Sequence, residues 1–308
     1  MQDGPYRFEK LSQNHYGLLQ ALYRNAFGIQ ISLDAISKRF DTSTLGSELI
    51  GYIAIDIVTN IAVAYYGVFP VKLIKDGKIV QAAQSGDTMT HSDHRKKGLF
   101  VKLAKLTFDE CKKKNIEIIF GLPNNNSYPG FINKLSWKEI GKVIRYDCKL
   151  PFKTFPLPKL LIRLGWFNGY LKYMDLITRR NKLSVQSFIN QLNGTKVYRD
   201  LNYLNYKAGP EKLFLRIGRS VLWIKFTDVL WVGDFDDYDK IDKHVISELK
   251  KLSFLLGYNT ISFFISESVD TPFLKHFKKN GEEPLCVYTY DKPVNEEIIL
   301  TGADFDTW

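Results

Sequence analysis

The sequence predicts an α/β (α+β) protein, a mixed, mostly antiparallel sheet flanked by helices, followed by a second lobe of the same class. Three observations carry this. Short segments rich in Val, Ile, Tyr and Phe alternate with segments whose apolar residues recur at helical spacing. The Asp76-Gly77 pair between two long β-patterned runs marks a tight hairpin. A helix-patterned segment then leads into a short, wholly apolar run of the buried-strand type.

In chain order, residues 6–11, "YRFEKL", read as a short strand. Residues 14–28 read as a helix with Leu18, Leu19, Leu22 and Tyr23 on one face, closed by Gly28. Residues 49–57 and 61–91 are β-patterned, the latter turning at Asp76-Gly77. A helix is expected from about Leu99 to Lys114, with Phe100, Leu103, Ala104, Leu106, Thr107 and Cys111 on or near one stripe. The apolar run "IEIIFGLP" follows, then a loop "NNNSYP", a short helix "GFINKL" and a closing strand over 137–150.

Residues 151–183 differ in character: a proline-rich connector, "PFKTFPLP", precedes a basic amphipathic segment, "KLLIRLGWFNGYLKYMDLITRRNK". Trp166, Tyr170, Tyr173 and Met174 offer that segment a face to bury, which suits a linker helix packed across two domains. The alternative is contact with a membrane surface through 157–182. Residues 184–308 show strands at 221–226, 229–235, 260–265 and 285–290, helices near 240–256 and 271–279, and a C-terminal "LTGADFDTW" that reads as a closing strand or ordered tail. The expected organisation is therefore a first domain over 1–150, a connector with linker helix over 151–183 and a second lobe over 184–308.

Composition narrows the class. The chain has 308 residues, 45% hydrophobic and 25% charged, which is globular. It contains no apolar run of membrane-spanning length, and its first residues, "MQDGPYRFEKLSQ", lack a signal-peptide core. Cys111, Cys148 and Cys286 are few, odd in number and widely spaced, which suits a reducing cytosol and forms no zinc or redox pattern. A cytoplasmic location is expected. The formal charge of +10 is uneven: residues 1–150 carry a net +7, residues 151–190 a net +6 and residues 191–308 a net −3. Such asymmetry argues for an anionic partner at the first half or the middle: nucleic acid, an anionic membrane or a phosphorylated small molecule.

The segment "HSDHRKKGLF", residues 91–100, carries the chemistry. A helix N-terminus has unpaired N–H groups and the positive end of the dipole, and both favour anions. Gly98 lets the backbone approach a phosphate without a Cβ, and Arg95, Lys96 and Lys97 add charge beside it. Asp234, Asp236, Asp237 and Asp239 form an acidic cluster before a later helix, but their spacing follows no EF-hand, and acids at helix starts serve the dipole; no metal is expected.

With these residues in view, the segment 80–137 resembles the central motifs of the GNAT superfamily of N-acetyltransferases. Their signature is a strand, then Arg/Gln-x-x-Gly-x-Gly/Ala at a helix start, then a strand ending near an Asn. "TMTHSDHRKKGLFVKL" matches the strand-to-helix portion and "IEIIFGLPNNNSYPGFINKLSW" the next strand and helix, and residues 5–150 fit the family's order β-α-β-β-β-α-β-α-β. The resemblance implies acetyl-CoA as cosubstrate. It implies that the backbone N–H groups of Lys97, Gly98, Leu99, Phe100 and Val101, with the Arg95–Lys96 region, bind the pyrophosphate. Met89 and Thr90 would pair with the pantetheine arm, and Asn124 or Asn126 would hold it. Two positions depart from the family pattern. Phe100 stands at the last Gly/Ala, and the tyrosine that often follows as general acid is replaced in "INKLSW", with Tyr128 four residues upstream of Ile132 as substitute.

The implied reaction is attack of an amine on the acetyl thioester, with backbone donors on the strand polarising the carbonyl and a base taking the amine proton. Asp87, late in the strand, is the preferred base; His91 and His94 flank the loop and suit ordering it. Positioning alone can supply much of the rate. The acceptor class is a small-molecule or sugar amine, an amino sugar of a polysaccharide precursor included, with no nucleic acid expected. The tandem order of elements in 184–308, with "YLNYKAGP", is similar to the second lobe of tandem GNAT-like proteins and has no counterpart of "RKKGLF". Two other readings stand beside this one: an aminoacyl-tRNA-dependent transferase acting on a cell-wall precursor, and a non-catalytic module bound to an anionic membrane surface.

Overall fold

The computed structural model describes residues 1–47, 49–150, 155, 157–178, 181, 182, 184, 186–209, 211–290, 294 and 296–307. The chain divides into two compact units, Met1–Ile140 with Pro284–Glu296, and Gly141–Glu283 with Glu297–Asp306.

Unit 1 runs through β1 (Gln2–Asp3), β2 (Tyr6–Lys10), α1 (Tyr16–Phe27), α2 (Leu33–Phe40), β3 (Ile50–Asp56), β4 (Ala62–Lys75), β5 (Lys78–Thr90), α3 (Leu99–Lys113), β6 (Ile118–Gly121) and α4 (Tyr128–Leu135). Strands β1 to β6 lie side by side in chain order. All neighbours are antiparallel except β5 and β6, which run parallel because α3 crosses between them. Asp76 and Gly77 both take positive φ, 51° and 71°, as a two-residue hairpin turn demands.

The expected helices form where their caps and stripes allow. α1 buries Leu19, Leu22 and Tyr23 and ends on left-handed Gly28. α3 buries Leu103, Ala104, Thr107, Phe108 and Cys111 against the sheet. α2 was not foreseen. Its signals are Ser32, whose hydroxyl accepts from Ala35 N–H at 3.1 Å, and the buried pair Ile36 and Phe40 one turn apart.

The remaining elements are β7 (Lys138–Lys149), α5 (Leu157–Arg163), α6 (Phe167–Ile177), β8 (Thr195–Val197), α7 (Leu201–Lys207), β9 (Lys212–Ile217), β10 (Ser220–Phe226), β11 (Leu230–Phe235), α8 (Lys243–Leu255), β12 (Thr260–Ser266), β13 (Lys278–Thr289) and β14 (Ile298–Ile299). In unit 2, β9, β10 and β11 pair antiparallel, α8 crosses over, and β12 lies parallel to β11. This repeats the β3–β4–β5–α3–β6 order of unit 1. The next position is filled by exchange. Val143–Lys149 of β7 pairs antiparallel with β12 in unit 2, whereas Cys286–Thr289 of β13 pairs antiparallel with β6 in unit 1.

Several expectations are thereby corrected. The 137–150 strand, assigned to the first domain by sequence, lies in unit 2 from Gly141 onward, and 285–290, assigned to the second lobe, serves unit 1. The single amphipathic helix is two, α5 and α6, broken at Gly165 with φ +72°. Trp166 does not bury but is 64% exposed, while Tyr173 turns inward and donates to Leu255 O at 2.9 Å. The side chains of Tyr170 and Met174 and residues 151–154 and 156 of the connector lie outside the described residues. The helix expected near 271–279 is a 3₁₀ turn, Pro272–His276, running into β13. The C-terminal stretch forms a 3₁₀ turn at Gly302–Asp304, and Trp308 lies outside the described residues.

Candidate active site

Where β5 leaves β6, the sheet opens. The parallel ladder runs only from Ala82↔Ile118 to Gln84↔Phe120, and β6 ends at Gly121, whereas β5 continues to Thr90. Against β4, the register passes from Gly67↔Gly86 to Tyr65↔Met89, so Asp87 and Thr88 together oppose Tyr66 alone. This is a β-bulge, and Asp87 takes φ +53° within it. The extra residue shifts the direction of every peptide group beyond it. His91 N–H donates to Val63 O at 2.8 Å, on the β4 side. Alternation then turns the Met89 peptide groups toward Tyr65 and those of Thr90 toward the open edge.

The chain then makes a 3₁₀ turn, Ser92–His94, passes Lys96 at φ +63° and enters α3 through Gly98 at φ +75°. Lys102 N–H donates to Gly98 O, so the amides of Leu99, Phe100 and Val101 precede the first internal bond of the helix and point out of its end. Left-handed Gly98 followed by helical Leu99 turns successive N–H groups inward on one point, which suits an anion. A Cβ at residue 98 would meet nothing within 4 Å, so the space before the helix is open. Phe100 does not close it. Its ring packs edge-on against Tyr66 and Phe131, at 5.6 and 5.2 Å between centroids, in the core beneath. Arg95, Lys96 and Lys97 are exposed beside the turn. The matching helix of unit 2, α8, is capped instead by Asp242, whose carboxylate accepts from Val245 N–H at 2.9 Å. That carboxylate already occupies the place an anion would take.

Residues 13–140 match the family model described as an acetyltransferase (GNAT) domain. Solved structures agree in fold. A GCN5-related N-acetyltransferase from Kribbella flavida matches with a TM-score of 0.58 at 9% identity, over 93% of this chain and 71% of that one. One from Anabaena variabilis gives 0.54 at 10% identity, over 92% and 72%. A protein of Pyrococcus horikoshii gives 0.59 at 10% identity, over 98% and 95%. No curated protein matches the chain in sequence.

Within the matched residues, Asp87 is engaged. Its Oδ2 accepts from the Tyr23 hydroxyl at 2.7 Å and from Arg39 Nε, and its Oδ1 accepts from Arg39 Nη2 at 2.8 Å. Arg39 also lies 5.0 Å over the Phe69 ring. Burial first, and the Asp87 charge second, push the Tyr23 phenol well above its ordinary range. Arg39 thus engages both carboxylate oxygens of Asp87. Tyr128 donates its hydroxyl to Glu139 Oε2 at 2.6 Å, and that bond holds the phenol up at about 12. The Asn124 Oδ1 accepts from Asn126 N–H and Ser127 N–H at 3.0 and 3.1 Å, capping the approach to α4; Asn126 is exposed.

His94 Nδ1 meets the Tyr6 hydroxyl at 3.0 Å, and burial, then the Lys97 charge, hold its imidazole below the ordinary value. His91 lies edge-on to it, 5.5 Å away between ring centroids. Both rings therefore order the loop between β5 and Arg95. Arg39, Tyr23 and Glu139 were missed by sequence reasoning. Arg39 is detectable only through the Ser32 cap and the 36/40 spacing that mark α2; in the sequence Tyr23 reads as part of an apolar helix face.

The acidic cluster of unit 2 disperses on folding. Asp234 accepts from buried Arg199, Asp236 from Ser220 and Val221, and Asp237 from Asp239 N–H and Gln191. Among the described residues no three His, Cys, Asp or Glu side chains converge as a metal site requires.

Proposed function

We propose that the GNAT domain transfers an acetyl group from acetyl-CoA to a primary amine. One observation carries the reading. A single strand–turn–helix presents, in order, a bulge at Asp87, a strand edge that runs on to Thr90 with no ladder partner among the described residues, and an open, uncapped helix start at Gly98. These suit a thioester, a pantetheine amide and a diphosphate respectively. The residues fit that cosubstrate: the amides of residues 97–101, with Arg95, Lys96 and Lys97 around them, would hold the pyrophosphate. Thr90, rather than Met89, has the main-chain direction to pair with pantetheine, and Asn124 or Asn126 would hold the arm's far side.

In the step itself the amine nitrogen forms a bond to the acetyl carbon, the carbon–sulfur bond breaks, nitrogen loses a proton and sulfur gains one. Bulge amides beside Asp87 stabilise the negative charge that develops on the carbonyl oxygen. Asp87, bound by Arg39 and Tyr23, acts by holding the bulge. Tyr128 is the nominated proton donor to sulfur, and it must turn from Glu139 to serve. Unit 2, with its repeated strand order and its Asp242-capped helix, is read as a second GNAT-like lobe without a cofactor loop.

The test is native mass spectrometry of the chain with acetyl-CoA, followed by an amine panel, amino sugars included, monitored by release of free CoA. Saturable binding and amine-dependent release support the reading. Binding of aminoacyl-tRNA in place of acetyl-CoA would sink it.

A further inference from the structure

Helices α5 and α6 pack on unit 2 through named side chains. Leu161 and Ile177 join its core, and Phe155 stacks with Tyr173 at 6.3 Å. On the same two helices and the turn between them, Leu160, Leu164, Trp166 and Leu176 are 49, 53, 64 and 83% exposed. Arg163 and Lys172 of the same helices are exposed as well. Large apolar side chains gathered on one short hairpin mark a surface that is covered in use.

What covers it follows from charge. Residues 151–190 hold seven Lys or Arg against one acid, Asp175, and so account for +6 of the +10 of the whole chain. A surface that mixes Leu and Trp with Arg and Lys complements an anionic bilayer. The apolar groups enter between lipid headgroups, Trp takes the interface, and the cations reach the phosphates. Seven- and eleven-residue helices are too short to span, and among the described residues no helix is long and apolar enough to cross a membrane. We infer that the α5–α6 hairpin docks this protein onto an anionic lipid surface, with Trp166 and Leu164 at the point of entry. The inference stands apart from acetyl transfer: it needs no property of Gly98 or Asp87.

The experiment is co-sedimentation of the full chain with vesicles of phosphatidylcholine alone and of phosphatidylcholine with 30% phosphatidylglycerol. The expected result is retention on the anionic vesicles only, weakened by raised salt, and weakened at least tenfold in Trp166→Ser/Leu164→Ser and in Arg163→Glu/Lys172→Glu. All four positions are exposed, and unchanged far-UV circular dichroism verifies folding. Wild-type protein that stays in the supernatant overturns the inference, as does equal retention of wild type and both variants. Lipid-independent self-association lost in the same variants would overturn it in favour of a second copy covering this face.

Discussion

Arg39 grips both oxygens of Asp87, a residue whose own backbone is held at φ +53°. The pair ties α2 to the bulge of β5. An L-residue in that conformation is unfavourable by about 1–2 kcal/mol, so the carboxylate contacts are what hold it. Replacing Asp87 therefore separates two effects. Asp87→Gly keeps the backbone conformation and loses the anchor; Asp87→Ala loses both and should unfold about 1–2 kcal/mol more easily than Asp87→Gly in urea titrations. If the residue positions the bulge, both variants lose kcat by about 10- to 100-fold with the acetyl-CoA KM held. Arg39→Met should reproduce that loss. A general base would instead leave Arg39→Met active.

Gly98 faces open space at φ +75°, so its requirement is conformational and not steric. Gly98→Ala should cost about 1 kcal/mol of stability through strain alone. Gly98→Trp adds bulk at the helix mouth and should abolish acetyl-CoA binding by calorimetry while the circular dichroism spectrum is kept. Unchanged affinity in a folded Gly98→Trp protein contradicts the diphosphate site.

Ser32 closes the first turn of α2 through Ala35 N–H. Ser32→Ala should destabilise by about 1 kcal/mol, the usual loss for an N-cap. Because α2 carries Arg39, the same variant should lower kcat more than it lowers acetyl-CoA affinity. Steady-state kinetics beside thermal melts distinguishes this from a simple stability effect.

Arg199 of unit 2 faces two buried carboxylates, Asp234 and Asp304. One guanidinium against two acids leaves a surplus negative charge, and burial raises the Asp234 carboxyl to about 6. The folded pKa lies above the unfolded one of about 3.9, so the folded state holds the proton more tightly. Its contribution to stability is complete below about pH 4 and is lost as pH rises through about 6. Over that range the wild type should lose stability relative to Asp234→Asn, measured by urea unfolding at matched pH values.

The segment from Asp76-Gly77 to Trp137 could be read directly, because its signals are local. A two-residue turn demands positive φ, an apolar stripe demands a helix, and a glycine before that stripe demands an open start. The side chains around the bulge could not. Asp87 looked like a free carboxylate late in a strand because the groups that occupy it, Tyr23 and Arg39, lie 64 and 48 residues earlier. Tyr128 looked available until Glu139, eleven residues on, came within 2.6 Å.

By itself, then, the sequence determined the alternation of strands and helices, the hairpin and the glycine-led helix start, since each follows from backbone preference and the burial of one face. Tertiary structure alone decided which partner each strand took. "LCVYTY" is apolar enough for either unit, and only packing against Ile118–Gly121 placed it in the first. It also decided that the Asp87 carboxylate is occupied, because its partners Tyr23 and Arg39 are brought to it from positions that the linear order keeps far apart.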